Sequence, residues 1–298
     1  MRSGAERRDA PLSYHARPMR LLVTGAGGML GRDVCAAAEQ AGHEVIALTH
    51  RDLDITRAAD VRRALGSARP HAVVHCAAWT DVDGAESAED EAAAVNAAGA
   101  GNVAAAAAQA GAFVIGVSTD YVFDGQAAEP YPEDAAPAPA TAYGRTKLAG
   151  ERAIAQANPA HAIVRTAWLF GLGGRNFVDT MLRLAGEREE VTVVDDQVGC
   201  PTFTGHLGPA LVEIAERRPQ GILHVAGAGA CTWHDLAVAT FAEAGLPMTV
   251  LSGSTAALGL PAPRPANSAL ASTREDAPRL PAWREGLSAY LSERVAPV

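Results

Sequence analysis

The amino-acid sequence predicts an α/β fold in which a doubly wound parallel sheet is followed by a smaller C-terminal lobe. Three observations favour this fold. Short apolar runs alternate with helix-forming segments over the first part of the chain, the first run leads into a glycine-rich loop, and the alternation becomes irregular after about residue 170. Continuous apolar runs are typical of strands whose two faces are both covered by helices, as in a parallel sheet.

The first apolar run, Leu21–Val23, leads into the loop Thr24–Gly31, which reads TGAGGMLG and precedes a helical pattern to about Ala41. In such a loop the glycines allow a tight turn, close approach of a pyrophosphate and packing of the helix on the strand. Free N–H groups of the first helical turn then face the phosphates. The loop therefore predicts a Rossmann-type cofactor site, with an ordinary glycine-rich turn as the alternative. The predicted contacts are Gly25, Gly27, Gly28, Met29, Leu30 and Gly31.

The later patterns continue the alternation, and they predict right-handed crossovers between parallel strands. Further strands are predicted at His43–Thr49, His71–Ala78, Ala112–Ser118, His161–Leu169, Val191–Val194 and Ile222–Val225. Helices are predicted at Asp60–Leu65, Glu86–Ala110, Thr141–Asn158, Phe177–Ala185, Gly205–Arg217, Trp233–Ala244 and Trp283–Val295, and Leu258–Pro265 is predicted to be a loop.

Three regions follow from these patterns. Residues 1–18 lack apolar periodicity, and we expect a disordered tail. Residues 19–170 are predicted to form the NAD(P)-binding Rossmann domain. Residues 171–298 are predicted to form mostly a substrate-binding lobe, with some elements returning to the Rossmann sheet.

Composition excludes several classes of protein. The net charge of −9 argues against a nucleic-acid binder, because affinity for phosphate backbones comes from clustered Lys and Arg. No apolar run approaches the ~20 residues that a membrane-spanning helix needs. The four cysteines are scattered and lack the paired spacing of a zinc site, which favours reduced thiols in a cytoplasmic enzyme without a structural metal.

The end of the second strand bears on the choice of nicotinamide cofactor. An acidic residue at this place usually binds the ribose 2′-hydroxyl of NAD, whereas here the chain reads LTHR and ends on Arg51. Because a guanidinium suits a 2′-phosphate, the sequence favours NADPH. Arg51 could equally be a solvated surface charge, so NADH stays open. Asp54 either reaches the adenine amino group or caps the following helix.

Two later segments carry the candidate chemistry. Tyr143 and Lys147 are four residues apart and so share one face of a predicted helix. A neighbouring ammonium is expected to lower the tyrosine pKa and to make Tyr143 a proton donor near neutral pH, while Lys147 also reaches the cofactor ribose. Thr119 ends the fourth strand, where α/β sheets bind ligands, and its hydroxyl could polarise a carbonyl. An ordinary surface pair on a helix is the alternative interpretation of the Tyr and Lys.

The order of these motifs resembles that of the extended short-chain dehydrogenase/reductases. The strings STDYVFDG at 118–125, YGRTKLAGE at 143–151 and DDQVGCPT at 195–202 are similar to those of members that reduce dTDP-linked 4-keto sugars. The resemblance runs from about residue 19 to the C-terminus. It implies hydride transfer from the nicotinamide to C4 of dTDP-4-dehydro-6-deoxy-L-mannose, with Tyr143 as the proton donor, Thr119 hydrogen-bonding the carbonyl and Lys147 activating the tyrosine.

The same resemblance implies further contacts. On the cofactor side they are Ile55, Ala77, Ala78 and Ser118, beside Arg51, Asp54, Tyr143 and Lys147. On the substrate side they are Thr80, Val82, Thr119, Asp120, Trp168, Asn176 and Arg264. Arg264 is the natural partner of a diphosphate.

Several alternatives stay open at this point. Another nucleotide-sugar reductase or epimerase of the same family is one, and a non-catalytic NADP-binding regulatory subunit is another. A dehydratase is disfavoured, because the fourth strand ends with one acid, Asp120, where elimination needs an acidic pair. Some relatives hold Mg²⁺ between subunits, but Asp33 and the Glu189–Glu190 pair are a weak basis for such a site, so no metal ligand is predicted. A homodimer is the assembly to consider.

Overall fold

A computed structural model describes residues 18–295, so nearly all of the tail expected at residues 1–18 lies outside the described part of the chain. The strands are β1 Arg20–Thr24, β2 Glu44–Leu48, β3 Ala72–His75, β4 Phe113–Thr119, β5 His161–Thr166, β6 Leu169–Phe170, β7 Glu190–Val194, β8 Val198–Gly199, β9 Thr202–Phe203, β10 Gly221–His224, β11 Cys231–Thr232 and β12 Thr249–Gly253. The main sheet has the order β2-β1-β3-β4-β5-β10, and every neighbouring pair in it is parallel. The predicted doubly wound parallel sheet is confirmed.

The helices alternate with these strands through most of the chain. They are α1 Met29–Gln40, α2 Ala58–Ala68, α3 Val82–Ser87, α4 Glu89–Ala93, α5 Ala100–Gln109, α6 Ala142–Ala157, α7 Phe177–Ala185, α8 Thr204–Arg217, α9 Trp233–Glu243, α10 Thr255–Leu258 and α11 Trp283–Val295. A π-helical segment, Ala94–Gly99, joins α4 to α5, and a 3-10 turn, Asp120–Val122, follows β4. None of the described helices has the length and apolar character needed to cross a membrane.

Two apolar layers cover the sheet. Because side chains alternate along a strand, Leu21 and Val23 of β1 join a core formed with α1 and α8, whereas Leu22 joins the opposite core formed with α2, α5 and α6. All three side chains are fully buried. Burial of each such side chain stabilises the fold by ~1.5–3 kcal/mol, which explains why the strands read as uninterrupted apolar runs.

The prediction of one helix over Glu86–Ala110 is wrong. The chain leaves helical geometry at Ala88, with φ −137° and ψ 46°, and then passes through α4 and the π-helical segment before α5 begins. Within that segment Asn96 is buried, and its side-chain amide binds the backbone of Trp79 and the Thr146 hydroxyl. Alanine propensity predicts an unbroken helix, but these tertiary hydrogen bonds favour a local π-turn.

The strand predicted at His161–Leu169 is also shorter than expected. β5 ends at Thr166, and Trp168 adopts a positive φ of 46°, a conformation that turns the chain out of the main sheet. The chain then pairs through β6 with β9.

The C-terminal third contains a strand that the sequence analysis missed. This strand, β12, pairs in parallel with β7. In the C-terminal third, α7, α9 and α11 pack around aromatic side chains that include Phe170, Phe203 and Tyr290.

Candidate active site

The carboxyl ends of β1, β3 and β4 lie next to one another in the sheet. Thr24 is in register with His75, and His75 is in register with Gly116, so the segments that follow these strands meet at one edge. The glycine loop follows β1, residues 76–80 follow β3, and the 3-10 turn follows Thr119 at the end of β4. The topology therefore brings most of the predicted site residues to this edge, which is where open α/β sheets bind ligands.

The glycine loop forms a cradle that fits a dinucleotide. Gly25 has φ +68°, and a Cβ atom there would lie 2.7 Å from the Ala77 backbone nitrogen. A Cβ on Gly31 would collide with the Gly25 carbonyl oxygen, so the helix approaches the loop only because both residues are glycine. Gly28 is the N-cap of α1 and supplies no side-chain cap. The first-turn N–H groups therefore do not donate to an N-cap side chain, and groups of this kind are suited to binding an anion.

The other predicted loop contacts differ in their exposure. Gly27 and Gly28 are exposed, Met29 is half-buried, and the Leu30 side chain is packed in the core, so only its backbone can meet a cofactor. Ala77 and Ala78 are half-buried where β3 ends, next to the loop.

The residues predicted for the adenosine end lie after β2. Arg51 is exposed in the turn. The Asp54 carboxylate accepts hydrogen bonds from the Thr56 backbone nitrogen at 3.0 Å and hydroxyl at 2.7 Å, which lower the pKa of Asp54. It does not cap α2, whose N-cap is Arg57. The Ile55 side chain is buried against Gly99, so only its backbone could contact a cofactor.

Tyr143 and Thr119 meet at the centre of the edge. Thr141 caps α6 by accepting a hydrogen bond from the Gly144 backbone nitrogen, which places Tyr143 in the first turn of the helix. Burial raises the pKa of Tyr143 to about 12, the hydrogen bond with Thr119 works in the opposite direction, and the charge of Asp120 adds to the rise. The phenol therefore carries its proton at neutral pH.

Lys147 lies one turn further along α6 and is buried. Its ammonium donates a hydrogen bond to the Val117 carbonyl oxygen at 2.8 Å. Burial lowers the pKa of Lys147 to about 8. The predicted lowering of the Tyr143 pKa is wrong in direction, because desolvation of the buried phenol raises it.

Asp120 is buried beside Thr119 and contacts hydroxyl groups from two distant parts of the chain. Thr119 donates to Oδ1 at 2.9 Å, and Ser268 donates to Oδ2 at 2.5 Å. Burial raises the pKa of Asp120 to about 6, although both hydrogen bonds oppose the rise. The Thr119 oxygen in turn accepts a hydrogen bond from the Tyr121 backbone nitrogen at 3.2 Å.

Ser118 belongs to a buried polar network that the sequence analysis missed. Its hydroxyl donates to Glu151 Oε1 at 2.5 Å, and Arg165 binds the same carboxylate through Nε at 2.9 Å and Nη2 at 2.7 Å. The side chain predicted to contact the cofactor is therefore occupied within the protein. The available signal was the spacing of Tyr143, Lys147 and Glu151, which places all three on one face of α6.

Trp168 lies in a stack of two tryptophans. Its ring centroid is 3.5 Å from that of Trp233, and the planes differ by 3°. Gly199 lies against the Trp168 ring, and Trp233 donates a hydrogen bond to the Gln197 side chain at 3.0 Å. One face of the Trp168 ring is thus covered by Trp233, and only the remainder of this half-buried side chain is open to a ligand.

The remaining substrate-side candidates lie in different surroundings. Thr80 is exposed, and Val82 is half-buried at the start of α3. The Asn176 side chain caps α7 and donates to the Gly171 carbonyl oxygen at 3.0 Å, so its amide is used inside the protein. Arg264 forms an ion pair with Asp83 at 2.7 Å.

Among residues 18–295, no three His, Cys, Asp or Glu side chains are grouped so that they could hold a metal ion. All four cysteines are free thiols.

A glycine cradle beside a buried Thr–Tyr pair and a lysine on the same helix face defines an NAD(P)-dependent oxidoreductase of the extended short-chain type. Comparison with known proteins narrows this class. The chain belongs to the family described as the RmlD substrate binding domain, whose pattern matches residues 19–295.

Named relatives match most of the chain. A dTDP-4-dehydrorhamnose reductase of Streptomyces griseus is 45% identical over 287 residues, which cover 93% of this chain and 94% of that protein. A dTDP-4-keto-6-deoxy-D-glucose reductase of Streptomyces niveus is 47% identical over 223 residues, covering 74% and 77% of the two chains. The crystal structure of the dTDP-4-dehydrorhamnose reductase of Bacillus anthracis, in complex with NADP, matches with a TM-score of 0.90 and 38% identity, covering 93% of this chain and 99% of that one.

Proposed function

We propose that the protein reduces the C4 ketone of dTDP-4-dehydro-6-deoxy-L-mannose, also called dTDP-4-dehydro-L-rhamnose, to give dTDP-L-rhamnose. The observation that carries the proposal is the buried, protonated Tyr143 phenol in contact with Thr119, at the sheet edge that holds the glycine cradle. Membership of the family and the names of the relatives support the choice of a 4-keto sugar as the substrate.

NADPH supplies the hydride when it is bound. The first-turn N–H groups of α1 and the open surface of Gly27 and Gly28 would receive its pyrophosphate, and the Ala77 segment would lie beside it. Exposed Arg51 suits the 2′-phosphate, and no acidic residue ends β2 to favour NADH. The complex of the Bacillus anthracis relative with NADP supports the same preference.

Tyr143 holds the proton that the reaction consumes. Its raised pKa keeps the phenol protonated until a stronger base, the alkoxide oxygen formed at C4, takes the proton. We assign Thr119 to hydrogen-bond the C4 carbonyl, and Lys147 to stabilise the phenolate and to anchor the cofactor ribose.

The substrate's other groups are assigned by chemistry. The Arg264 guanidinium suits the diphosphate, and the uncovered part of Trp168 suits the apolar face of the sugar. Asp120 holds Thr119 and Ser268 in place. Asn176 keeps a structural role, because its amide caps α7.

The experiment offers the purified protein two ketones and follows the fall in NADPH absorbance. We expect turnover with freshly made dTDP-4-dehydro-6-deoxy-L-mannose and slower turnover with dTDP-4-keto-6-deoxy-D-glucose, the substrate named for the Streptomyces niveus relative. Faster turnover of dTDP-4-keto-6-deoxy-D-glucose would show that this sugar, and not the L-mannose derivative, is the preferred substrate. Absence of turnover with either sugar, together with co-purification of another enzyme, would favour a regulatory subunit.

We also propose a cytoplasmic location, which agrees with four free thiols in the structure. The homodimer remains a prediction, and a measurement of the protein's molar mass in solution tests it. The division near residue 170 into a cofactor domain and a substrate lobe is a further proposal, and limited proteolysis with and without NADPH tests it.

A further inference from the structure

The Asp83 carboxylate, in the first turn of α3, ties down a segment that lies about 180 residues further along the chain. Its Oδ1 accepts a hydrogen bond from the Ala262 backbone nitrogen at 3.1 Å. Its Oδ2 accepts one from Arg264 Nη2 at 2.7 Å. One carboxylate thus binds both the backbone and the guanidinium of the proline-rich segment 258–265.

The Arg264 guanidinium is only half satisfied by this contact. Its side chain is 13% exposed, and its second terminal nitrogen, Nη1, is buried without a hydrogen-bond partner in the described part of the chain. Leaving a buried charged donor unpaired is costly. Arg264 therefore has donor capacity that its protein surroundings do not use, and a guanidinium satisfies that capacity best with a bidentate anion.

The ion pair lies close to the proton donor. Burial raises the pKa of Tyr121, and the charges of Arg264 and Asp83 act on the same phenol in opposite directions, so both lie near its ring. The Tyr121 ring in turn lies edge-on to Tyr143, with ring centroids 5.7 Å apart. The charge of Arg264 thus acts on the tyrosine whose ring packs against Tyr143.

The two ends of this segment are held differently. The part that follows Arg264 is anchored, since the Ala266 carbonyl oxygen accepts a hydrogen bond from Val198, Asn267 donates to Gly125, and Ser268 donates to Asp120. The hydrogen bonds described for residues 259–264 both end on Asp83. Exchange of that one carboxylate for another anion would release this part of the segment while the anchored part stays in place.

We propose that Asp83 competes with the substrate's diphosphate for Arg264 and so sets the affinity for the nucleotide part of the substrate. The inference rests on the proposed function, since it takes the diphosphate to be that of a dTDP-sugar. When the diphosphate binds, the Arg264 guanidinium exchanges the Asp83 carboxylate for phosphate oxygens. Arg264 is therefore paired with an anion both before and after binding.

The test measures binding of dTDP, and of thymidine as a ligand without phosphates, to the protein saturated with NADPH, by titration calorimetry. We expect Asp83→Asn to bind dTDP about 3- to 10-fold more tightly at low salt, because the diphosphate then competes with a neutral amide and not with a carboxylate for Arg264. The gain should shrink as salt is raised. Thymidine binding should not change, and Asp83→Glu, which keeps the charge, should stay close to the wild type.

Two controls separate a local effect from a general one. Glu187→Gln removes the same charge from an exposed pair with Arg183 and should leave dTDP affinity unchanged. In an Arg264→Ala background, Asp83→Asn should lose most of its effect. The inference is overturned if Asp83→Asn binds dTDP no more tightly than the wild type, if thymidine gains equally, or if Glu187→Gln has the same effect.

Failure of this inference is distinct from failure of the proposed function. A wild type that turns over the keto sugar, combined with an unaltered dTDP affinity in Asp83→Asn, refutes only the role of Asp83. A wild type that neither binds dTDP nor oxidises NADPH refutes the proposed function itself.

Discussion

Replacement of Glu151 by alanine should destabilise the protein strongly. Glu151 and Arg165 are 7% and 1% exposed, and two hydrogen bonds of 2.9 and 2.7 Å join them. Without the carboxylate, the guanidinium is left buried, with the Phe123 ring at 5.1 Å as a weak substitute. Breaking a buried ion pair in this way lowers the free energy of unfolding by about 3–5 kcal/mol. This is a large part of the free energy of unfolding of a typical protein, which is about 5–15 kcal/mol.

Urea unfolding monitored by circular dichroism measures this loss. Glu213→Ala is the matched control, because Glu213 pairs with Arg217 on the surface with both side chains nearly half exposed, and it should cost at most about 0.5 kcal/mol. A double replacement of Glu151 and Arg165 by methionine should recover part of the loss, since it removes both buried charges. A loss below about 1 kcal/mol in Glu151→Ala would refute the view that this pair anchors α6, and with it Tyr143 and Lys147, to the sheet.

Three further outcomes are expected. Tyr143→Phe should lower turnover by about 10²- to 10⁴-fold and leave NADPH binding intact. Steady-state rates measure the first effect, and cofactor fluorescence measures the second. Turnover close to that of the wild type would contradict the role of Tyr143. Gly31→Ala should lower both stability and NADPH affinity, because the added Cβ collides with the Gly25 carbonyl oxygen. Gly66→Ala is the control: its added Cβ meets nothing within 4 Å, and it should stabilise α2 by up to about 1 kcal/mol. Lys147 has a pKa of about 8 in the folded protein, below its usual 10.5. Between these two pH values the unfolded chain binds more protons than the folded one. The free energy of unfolding of the wild type should therefore rise by up to about 3 kcal/mol as the pH increases through that interval. Lys147→Met should lack this gain, and an equal pH dependence of urea unfolding in the two proteins would refute the buried ammonium.

The parts of the fold that local sequence specifies were predictable. The apolar run Leu21–Val23 and the glycine loop after it are adjacent in the chain, and their pattern alone implies a buried strand and a tight turn. The family resemblance, carried by strings such as STDYVFDG, is confirmed by the match over residues 19–295. The roles of the individual site residues stay predictions that the proposed experiments test.

The features that were missed or wrong depend on contacts distant in sequence. Asn96 lies in the π-helical segment of the alanine-rich region and binds Trp79 and Thr146, contacts that helix propensity does not predict. The raised pKa of Tyr143 follows from its burial, whereas the spacing to Lys147 pointed only to a nearby positive charge. The pairing of Asp83 with Arg264 joins residues about 180 positions apart, so it became visible only in the folded chain.

The central claim is that hydride reaches C4 of a dTDP-linked ketone while Tyr143 supplies the proton. The most direct measurement incubates the protein with the keto sugar and NADPH that carries deuterium at both C4 positions of the nicotinamide, and locates the label in the product by NMR. One deuterium at C4 of dTDP-L-rhamnose is the expected result. A product without deuterium at that carbon, or consumption of NADPH with no sugar product, would contradict the account.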